Sequence, residues 1–458
     1  MAKKFFFLFT ALAFTATMMA SCEPHTGTTP EEPVDTIPAE LVPLQQSVPI
    51  TDNWVFESKP SITVHVENPN AVVVDATIRV SITTDLKKSV TAIEQVVPVP
   101  ANGSIDVPFT TSEDFAPGFY KATCKVNQKV ARSFTFGISP TKIVSEPDKQ
   151  PDFDEYWAAA KEQLAAIDMN PVLTELEKKS TEKRKIYLVE LQSVPDTQDG
   201  DPVIVRGYYA EPQDGQKHPV IMHFYGYDSQ NATSWPPCPS GNDSEYAEFF
   251  FSIRGQMLNN RAAANRYPDG KEDFVNVYGD WFAYNFGVKD GYYYRGAFMD
   301  CVQAVRFMAT RETSDMTQLF AEGSSQGGAL SYATAALSDY PFTAIAPCVA
   351  FLGDFPDYFN IVGWPAETAK ANKGSMTDEE MYAFLSYFDT KNLATRISCA
   401  VIACSGLQDG TCPPHTNLAP YNNLPTEDKV IYYYPEMGHE IPSDWNTKIM
   451  KFFKERMK

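Results

Sequence analysis

The run Glu322-Gly323-Ser324-Ser325-Gln326-Gly327-Gly328 holds the residue types that acyl transfer needs, in the pattern G-x-S-x-G. With 24 glycines in the chain the pattern alone is weakly specific. Its setting gives it meaning, because an apolar strand is predicted over 318–321 and a helix over 326–339. On such a strand–turn–helix elbow the Ser325 hydroxyl stands clear of the backbone, and Gly323 and Gly327 remove side chains that would clash where strand and helix pack closely. The plainer alternative is a glycine-rich helix start capped by Ser324 or Ser325.

A serine hydroxyl is a weak nucleophile until a base takes its proton, and the chain has six histidines. When a nucleophile elbow tops a parallel sheet, the chain order is Ser, acid, His. His415 and His439 follow Ser325. His439 lies in Pro435-Glu436-Met437-Gly438-His439-Glu440, after an apolar strand at 429–434 and before a carboxy-terminal helix, so it is the expected base. His415, beside Pro413-Pro414, is expected to be a loop residue or a helix cap. The acid that orients His439 should end a strand on the same sheet edge. Asp409, in Gly406-Leu407-Gln408-Asp409-Gly410 after a strand at 398–404, meets that requirement. Asp354 and Asp357 are rivals in a Phe- and Pro-rich excursion, where helix capping accounts for them. The oxyanion needs two backbone N–H groups, expected from Gln326 and from Tyr227, which follows a strand at 219–224. This chemistry calls for no metal and no cofactor.

The elements that must position these groups alternate strand and helix after residue 140. Strands are predicted at 185–192, 203–210, 219–224, 249–253, 318–321, 343–346, 398–404 and 429–434, and helices at 153–166, 295–311, 326–339 and 442–457. That alternation predicts an α/β domain over 141–458, with a mostly parallel sheet covered on both faces. Residues 44–140 instead alternate apolar and polar in short runs at 61–67, 76–83, 90–99, 104–110, 118–126 and 131–137, punctuated by turns such as Asn102-Gly103. Period-2 runs at this spacing predict a small antiparallel β-sandwich of the immunoglobulin-like kind. Its expected role is a spacer or a packing partner for the α/β domain. A carbohydrate-binding face is an alternative, although no exposed aromatic platform can be assigned from sequence.

The 458 residues exceed what one hydrophobic core usually supports, in line with two domains. With 38 Lys+Arg against 58 Asp+Glu the net charge is −20, a field that repels phosphate backbones and excludes nucleic acid as a natural partner. Lys3 and Lys4 precede an apolar run from Phe5 that ends in Met19, Ala20, Ser21 and Cys22. This is expected to be an export signal over 1–21, too short to span a bilayer permanently. The Cys after small residues resembles the lipobox of bacterial lipoproteins, implying lipidation at Cys22 and tethering to a cell-envelope membrane, on either face. Removing the signal takes two lysines and no acid, so the remaining chain carries −22. Residues 22–43 hold five prolines and form a semi-extended tether. Eight cysteines show no C-x-x-C, and Cys399 and Cys404 fall on opposite faces of one strand, too far apart to bridge each other. Buried free thiols are expected, and no zinc site.

Several ordered motifs together resemble carbohydrate esterase family 7, the acetyl xylan esterase and cephalosporin C deacetylase family of the α/β-hydrolases, over about residues 150–458. They are Asp152-Phe153-Asp154-Glu155-Tyr156-Trp157, Arg254-Gly255-Gln256, Tyr292-Tyr293-Tyr294-Arg295-Gly296, the elbow, Asp409 with Cys412-Pro413-Pro414, and His439-Glu440. The resemblance implies a Ser325, Asp409 and His439 triad acting on acetylated sugars, with Arg254 and Gln256 shaping the pocket and supporting the oxyanion side. On their own Arg254 and Gln256 would be a solvated strand-end loop, and the three tyrosines mostly core. Two departures imply a different pocket wall: Tyr225 stands where the family has His, and Met257-Leu258-Asn259-Asn260 replaces a Gly- and Ser-rich stretch. The sandwich is foreign to the compact family enzymes, so their ring-like oligomer is not implied. Two other classes stay open. One is a serine peptidase related to prolyl oligopeptidase, whose β domain is normally much longer than these 95 or so residues. The other is a non-catalytic glycan-binding surface lipoprotein.

Overall fold

A computed structural model describes residues 41–197, 200–229, 236–242, 245–258 and 276–458. Cys22 and the expected signal lie outside the described residues, as does nearly all of the tether.

The first eight strands are β1 (Gln45–Ser47), β2 (Val55–Phe56), β3 (Ser61–Asn68), β4 (Val74–Thr84), β5 (Ser89–Val99), β6 (Gly103–Thr110), β7 (Gly118–Val126) and β8 (Lys129–Ile138). They form two sheets, β1-β3-β6 and β2-β8-β7-β4-β5, antiparallel throughout except for β2 beside β8. Alternation decides which side chains go inside: Ile78, Val80 and Ile82 of β4 are buried with Phe134 and Phe136 of β8, while the residues between them face out. Trp54 closes the core, its ring stacked on Phe134 at 4.0 Å.

The second sheet has nine strands in the order β17-β16-β15-β14-β12-β13-β11-β10-β9. These are β9 (Val172–Glu175), β10 (Arg184–Ser193), β11 (Val203–Pro212), β12 (His218–Phe224), β13 (Ala247–Ser252), β14 (Ser314–Ser324), β15 (Ala344–Cys348), β16 (Ala400–Gly406) and β17 (Lys429–Tyr434). The six from β17 to β13 run parallel, and β11, β10 and β9 continue the sheet antiparallel. Residues of the parallel strands are apolar on both sides because both faces are covered. Leu319 and Ala321 pack under α1 (Phe153–Ala166), α2 (Tyr293–Ala309) and α3 (Gln326–Leu337), whereas the intervening Phe320 packs under α9 (Trp445–Lys454). Between β15 and β16 the chain makes four short helices, α4 (Phe355–Ile361), α5 (Ala366–Asn372), α6 (Asp378–Leu385) and α7 (Thr390–Ala394), and α8 (Pro414–Asn422) follows β16. Neighbouring β15 and β16 bring Cys348 and Cys404 face to face, Sγ to Sγ 3.0 Å, both buried.

The expected boundary at residue 140 is not a break in packing, since Pro43–Lys458 form one compact unit. Leu407 and Leu418 of the α/β part belong to the sandwich core cluster and are wholly buried. Arg132 of β8 pairs with Glu436 at 2.6 Å, and Asn422 donates to the Pro140 and Ile143 carbonyls at 3.0 Å. The sandwich is therefore a packing partner braced against the loops that follow β16 and β17, rather than a spacer.

Candidate active site

Ser325 sits where β14 turns into α3 with φ 56° and ψ −121°, a conformation that costs a non-glycine residue of order 1–3 kcal/mol and needs a surrounding structure to hold it. Its N–H donates to the Cys348 carbonyl at 2.9 Å, and its carbonyl accepts from Phe351 N–H at 3.0 Å. Close approach of backbones dictates both elbow glycines. A Cβ on Gly323 would lie 2.5 Å from the Gly327 carbonyl, and one on Gly327 would lie 2.4 Å from the Phe224 carbonyl. The Ser325 side chain makes no cap hydrogen bond to the helix it starts, which removes the plain N-cap reading.

The hydroxyl instead meets His439, with Nε2 to Oγ at 2.9 Å. His439 Nδ1 lies 2.8 Å from Asp409 Oδ2. Asp409 Oδ1 accepts from the N–H groups of Thr411 and Cys412, both at 2.8 Å, so the carboxylate, whose side chain is 0% exposed, is fully engaged. His439 keeps 26% of its side chain exposed and faces the cavity over Ser325. The buried Cys412 thiol lies within hydrogen-bonding reach of the Ser325 side chain. Rival Asp354 stands at the N-cap position of α4 but caps nothing with its side chain, pairing with Lys391 at 2.9 Å. Asp357 lies 3.3 Å from His415, which also meets Asp85 of the sandwich at 2.6 Å. These groups form a separate charge cluster that ties the two domains, and His415 is neither a loop residue nor a cap.

Gly226 and Tyr227 share a cavity of about 210 Å³ with Ser324, Ser325, Val349, His439, Glu440 and Ile441. The Tyr227 ring is wedged against Trp281 and Trp364, each at 5.2 Å, and its hydroxyl donates to Asp280 at 2.6 Å. The Gln326 side chain is buried and its Oε1 accepts from the Tyr294 hydroxyl at 3.0 Å, while its backbone N–H, at the first turn of α3, has no carbonyl of that helix to bond.

Arg254 and Gln256 are not a solvated loop, for each is 2% exposed. Arg254 forms a bidentate pair with Asp300 of α2 at 2.8 and 2.7 Å and also reaches Asp196 at 2.8 Å. Burial works against the charged guanidinium, but Asp300 and Asp196 outweigh it and raise its pKa further. Gly296 makes room: a Cβ there would lie 2.2 Å from the guanidinium, which explains glycine after Tyr292-Tyr293-Tyr294-Arg295. Gly255 turns the chain at φ 76° under the Tyr278 ring. Gln256 Nε2 then donates to the Gly226 carbonyl at 3.0 Å, pinning the loop that carries Tyr227. All three tyrosines are core residues whose hydroxyls support the site from beneath: Tyr292 donates to Phe282 O, Tyr293 to Arg254 O and Tyr294 to Gln326.

Sequence reasoning missed Asp300, Trp281, Trp364, Val349 and Ile441. Only Asp300 left a trace, as the lone acid in α2.

A Ser–His–Asp line on a strand–elbow–helix at the carboxyl end of a parallel sheet defines the α/β-hydrolase class, and the chain is a carboxylic ester hydrolase. Residues 141–456 match the acetyl xylan esterase (AXE1) family, and the chain belongs to that family. It is 24% identical over 359 residues to the acetyl esterase Axe7A of Xylanibacter ruminicola, covering 75% of each chain. Among solved structures it is similar to acetyl xylan esterase 1 from Thermoanaerobacterium sp. (24% identity, TM-score 0.57) and to the acetyl xylan esterase from Paenibacillus sp. R4 (26%, 0.57); each match covers 69% of this chain and 98% of the other.

Proposed function

We propose that the protein removes O-acetyl groups from acetylated sugar chains, xylo-oligosaccharides first among them, by a covalent serine mechanism. The observation that carries the mechanism is the unbroken line Ser325 Oγ, His439, Asp409 at 2.9 and 2.8 Å. The family and the printed activities of its relatives support acetyl esters of xylan as substrate.

Ser325 Oγ attacks the acetyl carbonyl carbon while His439 Nε2 takes its proton, and the carbonyl π electrons move onto oxygen. The Gln326 N–H, at the positive end of α3, and the Tyr227 N–H across the cavity hold that oxyanion. Collapse of the adduct breaks the bond to the sugar oxygen, which leaves with the proton from His439. Water, deprotonated by His439, then attacks the acetyl-serine, the bond from the acyl carbon to Ser325 Oγ breaks as Oγ takes the proton back from His439, and acetate leaves. Asp409 keeps the Nδ1–H tautomer in place and stabilises the imidazolium. Ser325→Ala is expected to lower kcat on 4-nitrophenyl acetate and on acetylated xylo-oligosaccharides by about 10³-fold or more. Retention of more than a thousandth of the activity would remove Ser325 as the nucleophile.

A further inference from the structure

The sandwich and the α/β domain enclose a cleft of about 330 Å³ that shares no lining residue with the cavity over Ser325. One wall is the outer face of the five-stranded sheet, where Thr83, Lys121 and Thr135 stand in register on adjacent strands β4, β7 and β8. The other wall is the acid loop at 408–410, with Ile361 and Val362 above it. Gly410 is exposed, and a Cβ built on it would meet nothing within 4 Å, so the loop leaves open space on its far side.

The walls are fixed relative to each other. Gln408 bridges to Thr135, His415 to Asp85 and Arg132 to Glu436. The cleft continues at one end, and toward the catalytic site it is lined by Asp409, the partner of His439. Thr84 and Tyr120 are shared with a larger trough of about 690 Å³ at the end of the sandwich, bordered by Phe115, whose half-buried ring lies 4.9 Å from that of Tyr120. In the other direction the chain runs from Val362 through Gly363 to Trp364, which packs on Tyr227 at the wall of the catalytic cavity.

We propose that this trough and cleft are one binding groove for the sugar chain on which the scissile acetyl sits, taking several consecutive uncharged sugar residues. The proposal rests on the esterase reading and extends it to the length of the substrate. Three features favour this ligand. Thr83 and Thr135, two strand spacings of about 4.8 Å apart with Lys121 between them, offer hydroxyls that both donate and accept, as sugar hydroxyls require. Phe115 supplies an apolar face for a ring. Charges of both signs line the groove in a strongly acidic protein, which suits neither a polyanion nor an apolar peptide. The catalytic cavity, at about 210 Å³, is smaller than usual ligand pockets and has room for an acyl group and little more, so a longer chain must find its contacts outside it.

The test uses the full chain with Ser325→Ala, titrated calorimetrically with unacetylated xylo-, cello- and manno-hexaose and the matching disaccharides. At least one hexaose is expected to bind tenfold or more tighter than its disaccharide. Phe115→Ala, and separately Ser133→Trp, which fills the cleft from an exposed position, should each weaken that binding at least fivefold. With Ser325 intact, both variants should turn over 4-nitrophenyl acetate within twofold of the parent, which also shows that they fold. Equal affinity for hexaose and disaccharide in all three series, or tight hexaose binding indifferent to both substitutions, would overturn the groove. Because binding is read without turnover, that failure is distinct from failure of the esterase reading, which Ser325→Ala kinetics decide.

Discussion

Gln408 pairs with Thr135 as if it were one more residue of the β8 strand, its Oε1 accepting from Thr135 N–H at 2.8 Å and its Nε2 donating to Thr135 O at 3.1 Å. The same Nε2 donates to Pro435 O at 2.7 Å, four residues before His439. One side chain from the acid loop thus fastens the acid loop, the base loop and the sandwich together. Gln408→Ala is expected to lower kcat about five- to tenfold with KM for 4-nitrophenyl acetate nearly unchanged, because Asp409 and His439 lose their common anchor while the acyl cavity keeps its walls. Gln408→Glu should not restore activity, since a carboxylate cannot donate to two carbonyls. Unchanged kcat in the alanine variant would show that the loops hold themselves.

Arg254 and Asp300 make the second prediction. Both are almost wholly buried, and removing one partner of such a pair strands the other charge at a cost of about 3–5 kcal/mol. Asp300→Asn should lower the unfolding free energy by that amount and, because Arg254 sits two residues before Gln256, loosen the bond to Gly226 O. Arg254→Lys should behave similarly, since an ammonium cannot reproduce the fork that holds Asp300 and Asp196 at once. Chemical denaturation with parallel kinetics on 4-nitrophenyl acetate checks both. Stability within 1 kcal/mol of the parent would show that the pair is dispensable.

How much of this was legible in the sequence follows from how local each signal is. Ser325, Asp409 and His439 could be picked out because each follows an apolar strand and a parallel sheet aligns such strand ends on one edge. The predicted strands of both domains lie within a few residues of those found, since period-2 and continuous apolar runs are local patterns. The helices α4 to α8, of five to nine residues, were not predicted, because so few turns show no helical period above the scatter. Strand β9, of four residues, was missed for the same reason. Leu407 and Leu418 look like ordinary core residues of their own domain, so nothing local says that they complete the core of the sandwich. Arg254 looked like a surface residue because its counter-ion lies 46 positions away.

Cys22 lies outside the described residues, and we propose from its sequence setting that it carries the lipid. Expressed in a bacterial host with labelled palmitate, the full chain should incorporate label into the membrane fraction, and Cys22→Ser should abolish incorporation while leaving soluble esterase activity. Label retained by the serine variant would place the modification elsewhere.

His223 carries the last prediction. It stands on β12 between two carboxylates, with Nδ1 2.6 Å from Glu322 on β14 and Nε2 2.9 Å from Glu248 on β13, and Arg184 also pairs with Glu248. Burial opposes its protonation, but the bonds and charges of Glu248 and Glu322 outweigh that and hold the imidazolium up to a pKa of about 9, against 6.5 in the unfolded chain. Burial likewise raises Glu248, yet His223 and Arg184 bring it down to about 2, against 4.5 unfolded. A raised folded pKa gives stability that is complete below 6.5 and lost as pH climbs through 9; a lowered one gives stability that is complete above 4.5 and lost as pH falls through 2. Both contributions are full only between those limits, near pH 5 to 6. His223→Gln keeps a hydrogen-bonding side chain but not the charge, leaving Glu322 and Glu248 to repel each other one residue from Gly323 of the elbow. The variant should be about 2–3 kcal/mol less stable than the parent at pH 6, with the gap closing as pH rises to 10. Parallel melting curves from pH 5 to 10 give the answer, and a gap that stays constant across that range would mean that His223 is neutral in the folded protein.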